Sequence, residues 1–185
     1  MDIVSLGNEK GGGAYFRKEI IVIEKINVSD DVNEVNQYAI ELLGHELGHN
    51  WFTGADTTTW EDWLNETGAE WAGLLYLLSF GDKTFLEYRL RWPKEKYREM
   101  SVIKSPDGKR PTDSVHTRGF MMFYEIYQKY GIETITEILK VLVDIKQHTT
   151  AAFLSDLKAK MGGEIPGVIE RGLTMKDYAE LFNVH

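Results

Sequence analysis

The chain has 185 residues, of which 43% are hydrophobic and 12% aromatic, so it can bury a core as one domain or two small lobes. Its formal net charge of -8 argues against nucleic acid as a partner. The absence of cysteine excludes disulfides and thiolate metal ligands, and no apolar run is long enough to cross a membrane. No signal peptide follows Met1, and the compartment stays open. We expect the chain to be part of a longer protein with other domains.

Residues 1–28 are predicted to form a sheet-edge segment. Three successive glycines end at Gly13, and such backbone is either a simple loop or a place that a ligand approaches closely. The β-branched residues 20–23 favour a strand. A strand at a sheet edge can pair with an extended peptide. Gly12, Gly13 and Ala14 are therefore the candidate substrate-binding residues.

Residues 32–80 are predicted to form a pair of helices. The first is expected from about Val32 through Phe52. Within it, His45 and His49 are four residues apart and share one face, so they can offer two imidazoles to one metal ion. Glu46 stands beside them and can take a proton from a water molecule, which is the arrangement of zinc peptidases. The simpler alternative is a pair of buried core histidines.

The second helix of the pair is expected from Trp60 to about Phe80, after a polar loop over residues 53–59. Glu66 is the candidate third metal ligand, leaving a fourth position for water. Glu70 lies one turn further on the same face and can orient a ligand histidine through its second ring nitrogen. For both glutamates the alternative is an ordinary solvated side chain.

Residues 81–185 are predicted to form a helical lobe. A first helix is interrupted at Pro93, and a polar loop over 101–114 precedes a helix that ends near Gly131. His116 stands at the entrance to that helix. Three more helices are expected over 133–148, 150–161 and 174–182, with glycines as breaks between them.

Three segments together resemble the gluzincin zinc metallopeptidases, above all the catalytic domain of the aminopeptidase N and leukotriene hydrolase family, and next thermolysin. Residues 45–52 are similar to the family's metal helix, and residues 63–66 to its third-ligand segment. Residues 118–120 are similar to its Lys-Gly helix start. The resemblance implies an α+β fold: a mostly helical, thermolysin-like catalytic domain with a small amino-terminal β-sheet.

The resemblance also implies a zinc ion held by His45, His49 and Glu66, with Glu46 as general base and a peptide or protein as substrate. The family's oxyanion-stabilising tyrosine is replaced by His116, and thermolysin uses a histidine for that task. The family's ammonium-binding glutamate has no counterpart beside Ala14, which leaves endo- or exopeptidase specificity open. Two further alternatives are a metal hydrolase of a non-peptide bond and a non-catalytic, zinc-containing peptide-binding module.

Overall fold

A computed structural model of the protein describes residues 2–5, 14–17, 20–23, 37–79, 81, 83, 86, 87, 90 and 94–182. By contact the chain divides into two compact units. The first comprises Met1–Trp51 and Ala69–Arg91, and the second comprises Phe52–Gly68 and Trp92–His185. Each unit is therefore built from two separate stretches of chain.

The first unit contains the strands and the first helix. Strands β1 (Asp2–Ser5), β2 (Ala14–Arg17) and β3 (Ile20–Ile23) lie in the order β1-β3-β2, with β3 parallel to β1 and antiparallel to β2. Helix α1 (Gln37–Gly48) contacts β2 and β3. Helix α2 (Trp63–Ser79) belongs to this unit from Ala69 onward.

The predicted α+β class is wrong, and the fold is mostly helical. From residue 37 to residue 182 the described elements are helices, and extended pairing there is limited to one isolated bridge, Thr59–Lys109. The three strands have four residues each, so the residues described in strands are far fewer than those in helices.

The second unit contains the first turn and a half of α2 and the remaining helices. A 3-10 turn, Trp60–Asp62, leads into α2. The helices that follow are α3 (Lys94–Glu99), α4 (Arg118–Tyr130), α5 (Ile132–Asp144), α6 (Thr150–Met161) and α7 (Glu164–Gly172). A second 3-10 turn, Tyr178–Glu180, packs against α4. Gly131 separates α4 from α5 with φ of 85°, which glycine adopts without strain.

The core of this second unit is rich in aromatic side chains. The indole of Trp63 is fully buried and meets the rings of Phe123 and Phe153 edge-on, with centroids 6.2 and 6.1 Å away. Its Nε1 donates a 2.8 Å hydrogen bond to Thr150 Oγ1 at the start of α6. These contacts fix the beginning of α2, where Glu66 lies, against α4 and α6 of the same unit.

Three features of the carboxy-terminal helices differ from expectation. Helix α5 ends at Asp144 rather than His148. The helix predicted over 174–182 is wrong: there the chain forms only the turn at Tyr178–Glu180, which is capped by the Asp177 side chain. Helix α7 was not predicted, because Gly167 was interpreted as a break. Proline is tolerated in the first turn of a helix, where its missing N–H would have no helical acceptor.

Among the residues that the structure describes, no helix combines the length and apolar character needed to span a membrane.

Candidate functional site

Helix α1 presents the two candidate ligand histidines at its carboxyl end. His45 is buried in the last turn, and His49 follows Gly48, the last helical residue, with its backbone N–H still bonded to His45 O at 3.3 Å. The two Nε2 atoms lie 3.1 Å apart, and the rings meet edge-on. Two nitrogens on a tetrahedral zinc ion, with bonds of about 2.0–2.1 Å, are separated by about 3.3 Å. The imidazole pair therefore fits one zinc ion.

The α1 helix is shorter than predicted at its carboxyl end. It ends at Gly48 rather than Phe52, and Asn50 and Trp51 close the end with bonds to carbonyls three residues earlier. The predicted start near Val32 lies outside the described residues. Glu46 lies between the histidines in sequence and is buried.

Glu70, the predicted orienting carboxylate, lies behind His45. Its Oε1 is 3.7 Å from His45 Nδ1, the ring nitrogen opposite the one that faces His49. This separation exceeds a hydrogen bond but brings an acidic group to the nitrogen that metal-bound histidines use for orientation. Both side chains are buried, so water screens this pair only weakly.

Close packing of small residues brings α1 and the unit-one part of α2 together. A Cβ added at Gly48 would lie 2.7 Å from Ala69 Cα, and one at Gly44 would lie 3.0 Å from Gly73 Cα. Both pairs are spaced by four residues, so each forms a stripe along its helix. The near contact of backbones allows His45, next to Gly44, to reach Glu70, next to Ala69. This pattern of small residues was not predicted, although its four-residue spacing is visible in the sequence.

In the second unit, the candidate ligand Glu66 is held between two cationic or polar side chains. Arg110 Nη2 donates to Glu66 Oε1 at 3.2 Å, and His116 Nδ1 lies 3.0 Å from Glu66 Oε2. Arg110 Nε also donates to the buried carboxylate of Asp62. Burial lowers the pKa of Arg110, but the hydrogen bonds and charges of Asp62 and Glu66 outweigh it, so that pKa is raised.

Asn65 fixes the loop that precedes α2. Its Oδ1 accepts from Ala55 N, and its Nδ2 donates to Ala55 O, both at 3.0 Å. The same Nδ2 donates to Asp62 Oδ1 at 2.8 Å. Asn65 therefore holds the loop, and the adjacent Glu66 points to Arg110 and His116.

Helix α2 carries Glu66 and Glu70 without a break. Residues four apart in an α-helix lie on one face, one turn from each other. The two carboxylates are thus presented along the same side of the helix. Each is a residue type that could supply an oxygen to a metal ion, as His45 and His49 could supply nitrogens.

The Arg118-Gly119 pair begins α4, as the sequence predicts. Arg118 is fully buried; it donates to Tyr97 O at 2.6 Å and to Met175 O. A Cβ at position 119 would overlap Thr67 Oγ1, so only glycine allows α4 this close to α2 within the unit. Arg118 and Gly119 therefore have a role in packing, and substrate binding is not needed to explain them.

The predicted substrate-binding residues are only partly within the described chain. Gly12 and Gly13 lie outside it, and Ala14 is the first residue of β2, which is an edge strand of the described sheet. His116 lies in the turn before α4, and its side chain is 49% exposed. Arg110 was not predicted at all, because it lies in a polar loop with no motif around it.

Comparisons of the chain with protein families, with curated proteins and with solved structures found no match. Function is therefore inferred from the chemistry of these side chains.

Proposed function

We propose that this protein is a zinc-dependent hydrolase of peptide bonds, with His45, His49 and Glu66 as metal ligands and Glu46 as general base. The observation that carries the proposal is the pair of imidazole nitrogens 3.1 Å apart at the end of α1, with a buried glutamate between the two histidines in sequence. A site with a purely structural metal has no use for that glutamate.

Helix geometry supports the choice of Glu66 as the third metal ligand. Glu70 approaches His45 from α2, and Glu66 precedes Glu70 by one turn on the same face. A set of two imidazoles and one carboxylate suits zinc and leaves a position for water. Arg110 and His116 contact the two oxygens of the Glu66 carboxylate, Oε1 and Oε2 respectively.

Each candidate residue would have a separate role in the hydrolysis of the peptide bond. Zinc, when bound in such a site, polarises a carbonyl and lowers the pKa of water to about 7. Glu46 would accept the proton of the attacking water and pass it to the leaving amine. Glu70 would hold His45 in one tautomer. His116, half exposed beside Glu66, would donate a hydrogen bond to the developing oxyanion, and Ala14 on the edge strand would pair with the peptide backbone.

The first experiment measures the zinc content of the purified protein together with cleavage of fluorogenic peptides that have free or blocked amino termini. We expect one zinc per chain. Cleavage of blocked peptides identifies an endopeptidase, and cleavage of free termini alone identifies an aminopeptidase. A chain without zinc contradicts the proposal. Zinc without turnover favours the non-catalytic peptide-binding module, and turnover of esters alone favours a hydrolase of another bond.

The decisive variant is Glu46→Gln, which keeps the size of the side chain but cannot accept a proton. We expect it to retain zinc and to lose about 10²–10⁴-fold in kcat, the usual contribution of general base catalysis. Glu99→Gln, at an exposed position in α3, is the matched control and should be as active as the unsubstituted protein. Full activity in Glu46→Gln would refute its assignment as the base.

A further inference from the structure

We propose that Arg110 is a positioning residue that holds the Glu66 carboxylate in place for the metal; this inference depends on the proposed zinc site. Its guanidinium bridges two carboxylates, with Nε on Asp62 and Nη2 on Glu66 at 3.2 Å. Asp62 and Glu66 are one turn apart around the start of α2. Arg110 acts through Glu66 and has no assigned contact with substrate.

Backbone hydrogen bonds hold the segment that carries Arg110 in place. Arg110 N donates to Thr58 O at 3.3 Å, and Lys109 and Thr59 form an antiparallel bridge. The same pairing continues in the bond from Trp60 N to Gly108 O at 3.3 Å. The loop that carries Arg110 is therefore held against the segment that leads into α2, within the same unit. The planar guanidinium needs little further ordering to reach both carboxylates.

Asp62, the second carboxylate that Arg110 contacts, is also held in place. Asp62 is almost fully buried and accepts a second hydrogen bond from Asn65 Nδ2 at 2.8 Å. Arg110 thus connects the Glu66 carboxylate to the buried, doubly hydrogen-bonded carboxylate of Asp62. A ligand held in its binding geometry loses less conformational entropy when the metal arrives.

Two opposing effects of Arg110 decide whether its loss weakens or strengthens zinc binding. A cation near the site repels a divalent metal, whereas the same cation orients the ligand. Here the positive charge is shared with Asp62, which offsets the repulsion, while the hydrogen bond to Glu66 is direct. We therefore expect the positioning effect to dominate.

The test measures the zinc dissociation constant of the full chain by competition with a chromogenic chelator, and the thermal midpoint of the zinc-free protein. Arg110→Gln should bind zinc about 10–100-fold more weakly, as for loss of other residues that orient ligands. In a Glu66→Gln background the same substitution should have no further effect on zinc affinity. Arg98→Gln, which breaks a half-exposed ion pair with Asp177 in the same unit, is the matched control and should bind zinc normally.

Three results would overturn the inference while leaving the zinc site intact. Unchanged zinc affinity in Arg110→Gln means that the bridge does not position the ligand. Tighter binding means that charge repulsion dominates. An equal loss in the Glu66→Gln background means that Arg110 supports the fold rather than Glu66, and a lower zinc-free thermal midpoint would accompany it. Absence of zinc from the unsubstituted protein would overturn the proposed function as well.

Discussion

At the scale of single residues, Arg118 and Tyr178 form a buried contact in the second unit. The guanidinium carbon of Arg118 lies 4.9 Å from the centre of the Tyr178 ring, which stacks on Tyr97 with ring centres 5.7 Å apart. Burial raises the pKa of Tyr178 to about 12, against the opposing charge of Arg118. A buried phenol therefore stays neutral in the folded protein at a pH where it ionises in the unfolded chain.

This difference predicts a loss of stability in alkali. The unfolded tyrosine releases its proton at a pKa near 10 and the folded one near 12, so the neutral form's contribution is complete below pH 10 and is lost between pH 10 and 12. At pH 11 the loss from Tyr178 is on the order of 1 kcal/mol. Urea unfolding at pH 8 and pH 11 should show a smaller alkaline loss in Tyr178→Phe than in the unsubstituted protein. The exposed Tyr76→Phe is the control, and an equal change in both variants would contradict the prediction.

At the scale of elements, the closeness of α1 and α2 within the first unit depends on residues without side chains. Gly48→Ala would bring a methyl group to 2.7 Å from Ala69 Cα and 2.9 Å from Ala69 O, and neither backbone atom can rotate away. We expect a loss of about 1–3 kcal/mol in the free energy of unfolding, as for other overpacked contacts. Gly167→Ala in α7 is the control, because its new methyl meets only Arg171 Nη1 at 3.6 Å.

In the control, alanine should be neutral or stabilise the protein by about 0.5–1 kcal/mol through its better helix propensity. Chemical denaturation of both variants, followed by far-UV circular dichroism, measures the difference. If Gly48→Ala is as stable as Gly167→Ala, the two helices have room to separate. In that case the approach of Glu70 to His45 does not depend on the glycine stripe.

Contacts between residues close in sequence could be predicted, whereas contacts between residues far apart in sequence could not. The pairing of His45 with His49 follows from helical spacing alone, and both nitrogens do face each other. The contact of Arg110 with Glu66 joins residues 44 positions apart through a loop pairing that no periodicity indicates. Tertiary contacts of this kind are set by the folded chain, so spacing in the sequence indicates the candidate ligands but not Arg110, which contacts one of them.

The helices, too, could be predicted only where the local sequence carries a clear start and stop signal. The α6 helix begins and ends where the sequence predicts, at Thr150 and Met161, because Thr149 caps one end and Gly162 follows the other. The α7 helix was not predicted because Gly167 was interpreted as a break, although it lies inside the helix, next to a proline that the first turn tolerates. The α+β class, which the resemblance implied, is wrong because the regular elements described from residue 37 onward are helices.

At the scale of the whole molecule, each compact unit draws on two stretches of sequence. The chain passes from one unit to the other after Trp51, within α2 after Gly68, and again after Arg91. The proposed zinc ligands His45, His49 and Glu66 likewise come from two separate stretches of the sequence. A ligand that binds the folded chain and not the unfolded one should therefore stabilise the molecule through residues far apart in sequence.

Zinc should accordingly raise the thermal midpoint of the metal-free protein. At a free zinc concentration of about 100 times the dissociation constant, the stabilisation is about 2.7 kcal/mol. For a chain of this size that corresponds to a rise of about 5–10 °C. Magnesium should have little effect, because it prefers oxygen ligands to imidazole. His49→Ala should lose the zinc-dependent rise, whereas His148→Ala, whose side chain lies against Gly54 in the second unit, should keep it. An equal rise in both variants, measured by differential scanning calorimetry, would place zinc elsewhere on the protein and remove the basis for the proposed chemistry.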